Sequence, residues 1–306
     1  MVADLLLVDG HNIAFRCFYG IGNLAREDGF PTGAIYGCAK TIWRMQDSVQ
    51  PMRTVVFFDV GRCAERTELF PDYKASRKPM AAELRLQLPH IGRLVKLIGC
   101  AVAQEKGVEA DDLIAAYAAA EANGGKRVAI ASSDKDFAQM VCGNITLLVP
   151  PPAGCGTANW LTMDADGVKR KFSVEPHQIV DFLSLVGDSV DCIPGVPGVG
   201  PKTAAKLLGQ YGTVESLMAN LDAIAPKLAL NLRDSAENIS RNRRLIALKT
   251  LSHSVNPQWE KFDGVALLNF LEEFSLQSLM AQARRRYAIG GCHAGADKTA
   301  QHSFPF

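Results

Sequence analysis

The sequence predicts an α/β protein, a mostly parallel sheet with flanking helices, followed by a helical half. Three observations point there. Short apolar runs alternate with amphipathic stretches through the first half, the pattern of parallel strands covered on both faces. Pro150-Pro151-Pro152 and Gly154-Cys155-Gly156 then interrupt it as a loop. Beyond about residue 175, helical periodicity takes over.

Leu5-Leu6-Leu7-Val8 opens the chain as a continuous apolar run, too short for a helix and suited to a buried strand. Residues 54–58, 127–131 and 145–149 predict three more strands. Between them, apolar spacing predicts helices over 32–46, 84–97 and 109–121. In the second half the same spacing predicts helices over 176–186, 202–208, 213–219, 236–249, and 265–287 with one interruption. Residues 290–306 are small and polar without a period and read as a disordered tail.

Composition narrows the function. At 306 residues, with 48% apolar and 21% charged side chains, the chain can bury a large core, which excludes global disorder. No run approaches the roughly 20 apolar residues of a membrane span. The first nine residues carry acids and no Lys or Arg, so they lack the basic flank of a signal peptide. Eight cysteines occur without a CxxC pair, which fits a reducing compartment; a cytoplasmic protein is expected. Lys and Arg total 33 against 32 Asp and Glu, for a formal charge of +1. Taken alone, that balance argues against a polyanionic partner.

The acids are not spread evenly. Asp9 follows the first apolar run, Asp59 the second, and Asp134 and Asp136 the third. In an open parallel sheet, ligands bind beyond the carboxyl ends of the strands, so three strands deliver acids to one edge. A lone Asp there is ordinarily a turn former or a helix cap; three together are harder to dismiss. Glu109, Asp111 and Asp112 open a predicted helix, with Glu109 and Asp112 on one face. Asp188 and Asp191 repeat that spacing at a helix end, where the macrodipole disfavours anions. Nine carboxylates gathered at one site repel each other unless cations sit among them, and hard divalent ions, Mg²⁺ or Mn²⁺, are the natural partners. Two such ions can activate water and stabilise the leaving oxygen of a phosphodiester.

Basic residues lie beside them. Arg62, Arg66, Lys74, Arg77 and Lys78, with Phe70 and Tyr73, have the composition of a single-strand contact. Farther on, Gly195, Gly198 and Gly200 precede Lys202, Thr203 and Lys206. A phosphate-binding loop of an NTPase needs Lys after Gly200, where Pro201 stands, and a dinucleotide fingerprint needs Gly or Ala at Thr203. Helix–hairpin–helix fits better: glycines admit a phosphate, helix N–H groups grip it, and Lys202 and Lys206 add charge.

In this order, Leu7-Val8-Asp9-Gly10-His11-Asn12, Tyr73-Lys74-Ala75-Ser76-Arg77, 107–112, Asp134-Lys135-Asp136 and 187–208 resemble the bacterial 5′→3′ exonucleases. These include the 5′-nuclease domain of DNA polymerase I and the related flap endonucleases. The resemblance covers about residues 3–288. It implies a PIN-like catalytic domain over 1–175 with a basic arch at about 60–83. A helical DNA-binding domain carrying the helix–hairpin–helix (helix–three-turn–helix) would span 176–289.

It implies DNA substrates with free 5′ ends: flaps, nicked duplexes and RNA primers. Asp9, Asp59, Glu109, Asp111 and Asp112 would form the tighter metal site, and Asp134, Asp136, Asp188 and Asp191 the looser one. Lys74 and Arg77 would bind and polarise the scissile phosphate, assisted by Arg66 and Tyr73, and K⁺ would sit around Gly195–Gly200. A monomer is expected, with a separate DNA polymerase as a candidate partner; the sequence leaves open whether the two work together. Cys192 departs from the family's usual Asn.

Two rival readings of the sequence remain: a branched-DNA-binding module that does not cut, and a PIN-class RNA endonuclease. Setting the nine acids aside leaves 23 acids against 33 bases, a net of +10. Near-neutrality therefore hides an acidic pocket within a basic remainder.

Overall fold

Leu5–Asp9, every residue buried, forms β1 at the middle of a six-stranded sheet. The structure, a computed structural model, describes residues 2–61, 64–151 and 160–289. The expected tail over 290–306, Arg62, and the loop residues 152–159 lie outside them. The other strands are β2 (Arg53–Phe57), β3 (Ala101–Ala103), β4 (Val128–Ala131), β5 (Ile145–Val149) and β6 (Leu161–Met163). Their order is β3-β2-β1-β4-β5-β6, all parallel except β6, which runs antiparallel to β5.

The four expected strands form, each shifted by no more than a residue at its ends. β3 and β6 were not visible in the sequence. Each has three residues, and the Ala-Val-Ala of β3 carries little strand propensity.

Helices α1 (Gly10–Gly20), α2 (Gly33–Val49), α3 (Ala64–Leu69), α4 (Ala82–Leu97) and α5 (Ala110–Asn123) follow in turn. α1, α2 and α4 form one layer, α1 against β1 and β2 and α4 against β3. α5 covers β1, β2 and β4 from the other side, meeting the face that carries Leu5, Leu7, Val55 and Phe57. Sequence periodicity misses α1 because its first turn, Gly10-His11-Asn12, is polar where a buried helix is ordinarily apolar.

After α6 (Ala165–Phe172) come α7 (Ile179–Val186), α8 (Pro201–Tyr211), α9 (Val214–Ala219), α10 (Pro226–Asp234) and α11 (Ala236–Ile246). The chain through Phe262 is one compact unit. A single apolar cluster runs from Leu5 and Ile130 in the sheet to Leu183, Leu208 and Ile246, so packing is continuous across 175/176. The helix expected over 236–249 stops at Ile246, because side chains capture the next amides: Gln139 accepts from Leu248 N–H and Asp112 from Lys249 N–H.

The second unit begins at Asp263, whose carboxylate caps α12 (Gly264–Glu273). Ser275, at φ +54°, makes the interruption before α13 (Gln277–Arg286). Among the described residues no helix is long and apolar enough to cross a membrane.

Candidate functional site

Strand ends place the acids. Asp9 ends β1 and caps α1, accepting Asn12 N–H at 3.0 Å, while its other oxygen accepts the Ser132 hydroxyl at 2.9 Å. Asp59, two residues past β2, accepts the Ala110 N–H at 2.7 Å and so ties that strand end to the start of α5. Glu109 stands at the N-cap of α5 and Asp111 in its first turn. Asp134 follows β4 and caps a 3₁₀ turn over Lys135–Met140 through the Asp136 N–H. A cleft of about 820 Å³ is bounded by Asp9, Asp59, Glu109, Asp111 and Asp134 and faces Tyr73, Lys74 and Arg77.

Burial pushes the Asp9 carboxyl up to about 6, with the Asp134 and Asp59 charges adding and its two hydrogen bonds opposing. Burial, with Asp9 and Asp134 next to it, holds Asp111 well above the usual carboxylate range. Asp134 is raised chiefly by burial, and Asp136 well above its ordinary value by burial and then by Asp134. Among the described residues, Asp9, Asp59, Asp111, Asp134 and Asp136 have no Lys or Arg at ion-pair distance. One oxygen of Asp136 is buried with no hydrogen-bond partner. Oxygen donors whose charges are costly and uncompensated fit hard divalent cations. Among the described residues, no three side chains already stand in an arrangement that would hold one ion.

The other four acids are occupied by the protein's own cations. Glu109 meets Lys74 Nζ at 3.1 Å, Asp188 meets Lys135 at 3.0 Å, and Asp191 meets Arg77 at 2.6 Å. Burial opposes the Lys74 charge, but Glu109 and Tyr73 outweigh it and raise its pKa. The ammonium also lies 4.7 Å from the Tyr73 ring centroid.

Two expectations need correction. Arg66 is 3% exposed and gives its guanidinium to Glu109 and Asp112, so it cannot reach a nucleic-acid phosphate as it stands. Asp112 is 1% exposed and does not line the cleft; the helix turns it roughly 100° from Asp111, toward Arg66.

Sequence reasoning gave no role to three further side chains. Asn12 accepts Ser133 N–H at 3.1 Å and bonds its hydroxyl, fixing α1 to the loop that carries Asp134. His11 Nδ1 accepts the Asp59 N–H at 3.2 Å, and burial holds its pKa below the ordinary value, so it serves as a neutral brace. Asn242, 1% exposed, donates to Ser184 O and Pro194 O and joins α11 to the hairpin. Gly10-His11-Asn12 directly after a strand was the available signal for the first two; Asn242 left none.

The hairpin between α7 and α8 divides the work of its glycines. A side chain at Gly195 would bring Cβ within 2.1 Å of Val186 O, so closure onto α7 requires glycine there. Gly198 has φ +79°, a turn conformation, while Gly200 faces open space at the N-cap of α8. Lys202 and Lys206 are exposed one helical turn apart, with Thr203 half-buried between them. Cys192 adopts φ +60°, a conformation that suits Asn, and its thiol meets the Ser76 hydroxyl at 3.0 Å.

Residues 4–173 match the family described as 5′-3′ exonuclease, N-terminal resolvase-like domain, and residues 174–263 match 5′-3′ exonuclease, C-terminal SAM fold. A 5′-3′ exonuclease of Aquifex aeolicus is 35% identical over 246 residues, covering 80% of this chain and 82% of that protein. DNA polymerase I of Pseudomonas aeruginosa is 39% identical over 256 residues, 81% of this chain, but the match spans only 27% of that polymerase. Among solved structures, the bacteriophage T5 D15 flap endonuclease in complex with DNA and metal ions superposes with a TM-score of 0.66. It is 21% identical, covers 93% of this chain and 97% of its own, and at that identity the likeness is one of fold. With both domain matches side by side and a relative aligned over most of its length, the chain belongs to the 5′-3′ exonuclease family.

Proposed function

We propose that the chain is a divalent-metal-dependent 5′→3′ exonuclease and 5′-flap endonuclease acting on DNA with free 5′ ends. One observation carries the reading: among the described residues, four carboxylates without a Lys or Arg partner (Asp9, Asp59, Asp111 and Asp134) share one cleft opposite Lys74 and Arg77. Asp9, Asp59, Glu109 and Asp111 would hold one ion, and Asp134, Asp136, Asp188 and Asp191 a second. When bound, Mg²⁺ or Mn²⁺ would supply Lewis acidity toward the scissile phosphate and make water a competent nucleophile at neutral pH.

The chain's own residues do the rest. Lys74 and Arg77 now neutralise Glu109 and Asp191. A phosphate in the cleft offers them a second anion, and from there they stabilise charge developing on its oxygens. Tyr73 supports the Lys74 ammonium from its ring face. Asn12 and Ser132 keep Asp9 and the Asp134 loop in register.

The free N–H groups at the start of α8, with Lys202, Thr203 and Lys206, would grip duplex phosphates without reading sequence. Gly195, Gly198 and Gly200 shape that hairpin, and K⁺ would sit against its backbone. In this reading residues 1–175 are the catalytic part and 176–289 the DNA-binding part of a cytoplasmic monomer working beside a separate polymerase. Incubating a 5′-labelled DNA flap with Mg²⁺ tests the activity. A short labelled product that disappears with chelator is expected; an intact strand with binding retained refutes it.

A further inference from the structure

Asp112 follows Asp111 directly, yet its carboxylate is spent elsewhere. One oxygen accepts Arg66 Nη1–H at 2.8 Å; the other accepts Nη2–H at 2.8 Å and the Lys249 N–H at 2.9 Å. Arg66 in turn uses all five of its N–H groups. Beyond Asp112, Nη1 reaches Glu109 Oε2 at 2.7 Å, Nε reaches Leu245 O at 3.1 Å, and Nη2 reaches Ala247 O at 3.4 Å. The node joins α3, the first turn of α5 and the carbonyl end of α11, where a helix favours a cation.

We propose that Asp112 anchors Arg66 and binds no ion, and that Arg66 is a positioning residue fixing Glu109 in the cleft. This rests on the function proposed above. An ion on Asp112 would displace two charge-assisted hydrogen bonds and set a second cation against a buried guanidinium. Glu109, by contrast, lies between two cations of different kinds. Lys74 holds it at 3.1 and 3.2 Å and is the group that turns toward a phosphate. Arg66 is buried, has no spare donor, and stays. Glu109 therefore keeps its place when Lys74 leaves, because Asp112 and two carbonyls hold Arg66 from behind.

Calorimetric titration with Mn²⁺ in the absence of DNA separates the roles. Asp112→Asn should bind within about threefold of the unsubstituted protein, while Asp111→Asn and Arg66→Met should each lose about tenfold or more. For Arg66→Met, the Mg²⁺ concentration giving half-maximal flap cleavage should rise with KM for the flap unchanged. Equal losses in Asp112→Asn and Asp111→Asn would make Asp112 a ligand and overturn the proposal.

A melting cycle tests the strut itself. Arg66→Met and Asp112→Leu each leave a buried charge unpaired, so the double variant should melt above either single one. Additive losses would contradict it. If the unsubstituted protein took up no Mn²⁺, the proposed function would fail while this cycle still decided between a strut and independent side chains.

Discussion

Replacing Asp9 with Asn removes a charge that folding makes costly. Burial moves its carboxyl from 3.8 to about 6. At about 1.4 kcal/mol per unit, the ionised side chain costs the metal-free fold about 3 kcal/mol at neutral pH. The sign follows from proton affinity: the folded carboxyl holds its proton more tightly than the unfolded one. The penalty is therefore absent below about pH 4, grows between about pH 4 and 6, and is complete above. Asn keeps an oxygen for the Asn12 N–H, so the cap of α1 survives. Urea unfolding in the presence of chelator should find Asp9→Asn more stable than the unsubstituted protein by about 2–3 kcal/mol at pH 7.5. Near pH 4 the two should be equal. Mg²⁺ should reverse the order at pH 7.5, because it stabilises only the protein that binds it. A variant destabilised equally at both pH values would refute the reasoning.

Other perturbations probe other parts of the site. Lys74→Ala should lower the single-turnover cleavage rate by about 10²–10³-fold with flap affinity largely kept, as for loss of one donor to a developing anion; an unchanged rate would remove Lys74 from the chemistry. Lys202→Ala should weaken duplex binding at all sequences and reduce its salt slope by about one, read from affinities across a salt series. Gly195→Ala, whose methyl would press on Val186 O, should lower the melting temperature and loosen hairpin-dependent duplex binding together.

Much of this molecule can be read from its sequence because the signals are local. β1, β2, β4 and β5 are dominated by apolar residues, as parallel strands buried on both faces require. The acids were legible for the same reason: Asp9 ends its strand, Asp59 and Asp134 lie just past theirs, and strand ends of one parallel sheet share an edge. What stayed hidden is set by partners distant in the chain. Arg66 reads as a surface cation in a basic stretch, and only the arrival of Leu245 and Ala247, 179 and 181 residues later, turns it inward. Asp112 is indistinguishable from Asp111 until the helix separates them. Gly195 reads as a phosphate contact but answers to the end of α7, while Asn242 gave no local hint of its two carbonyl partners.

The central claim is that the cleft between three strand ends and the start of α5 is built to hold divalent ions. Anomalous diffraction from crystals soaked in Mn²⁺ tests it most directly. Peaks are predicted inside the cleft bounded by Asp9, Asp59, Asp111 and Asp134, with Asp112 outside every coordination shell. An empty cleft at saturating Mn²⁺, or a peak bound by Asp112 with Arg66 displaced, would contradict the account.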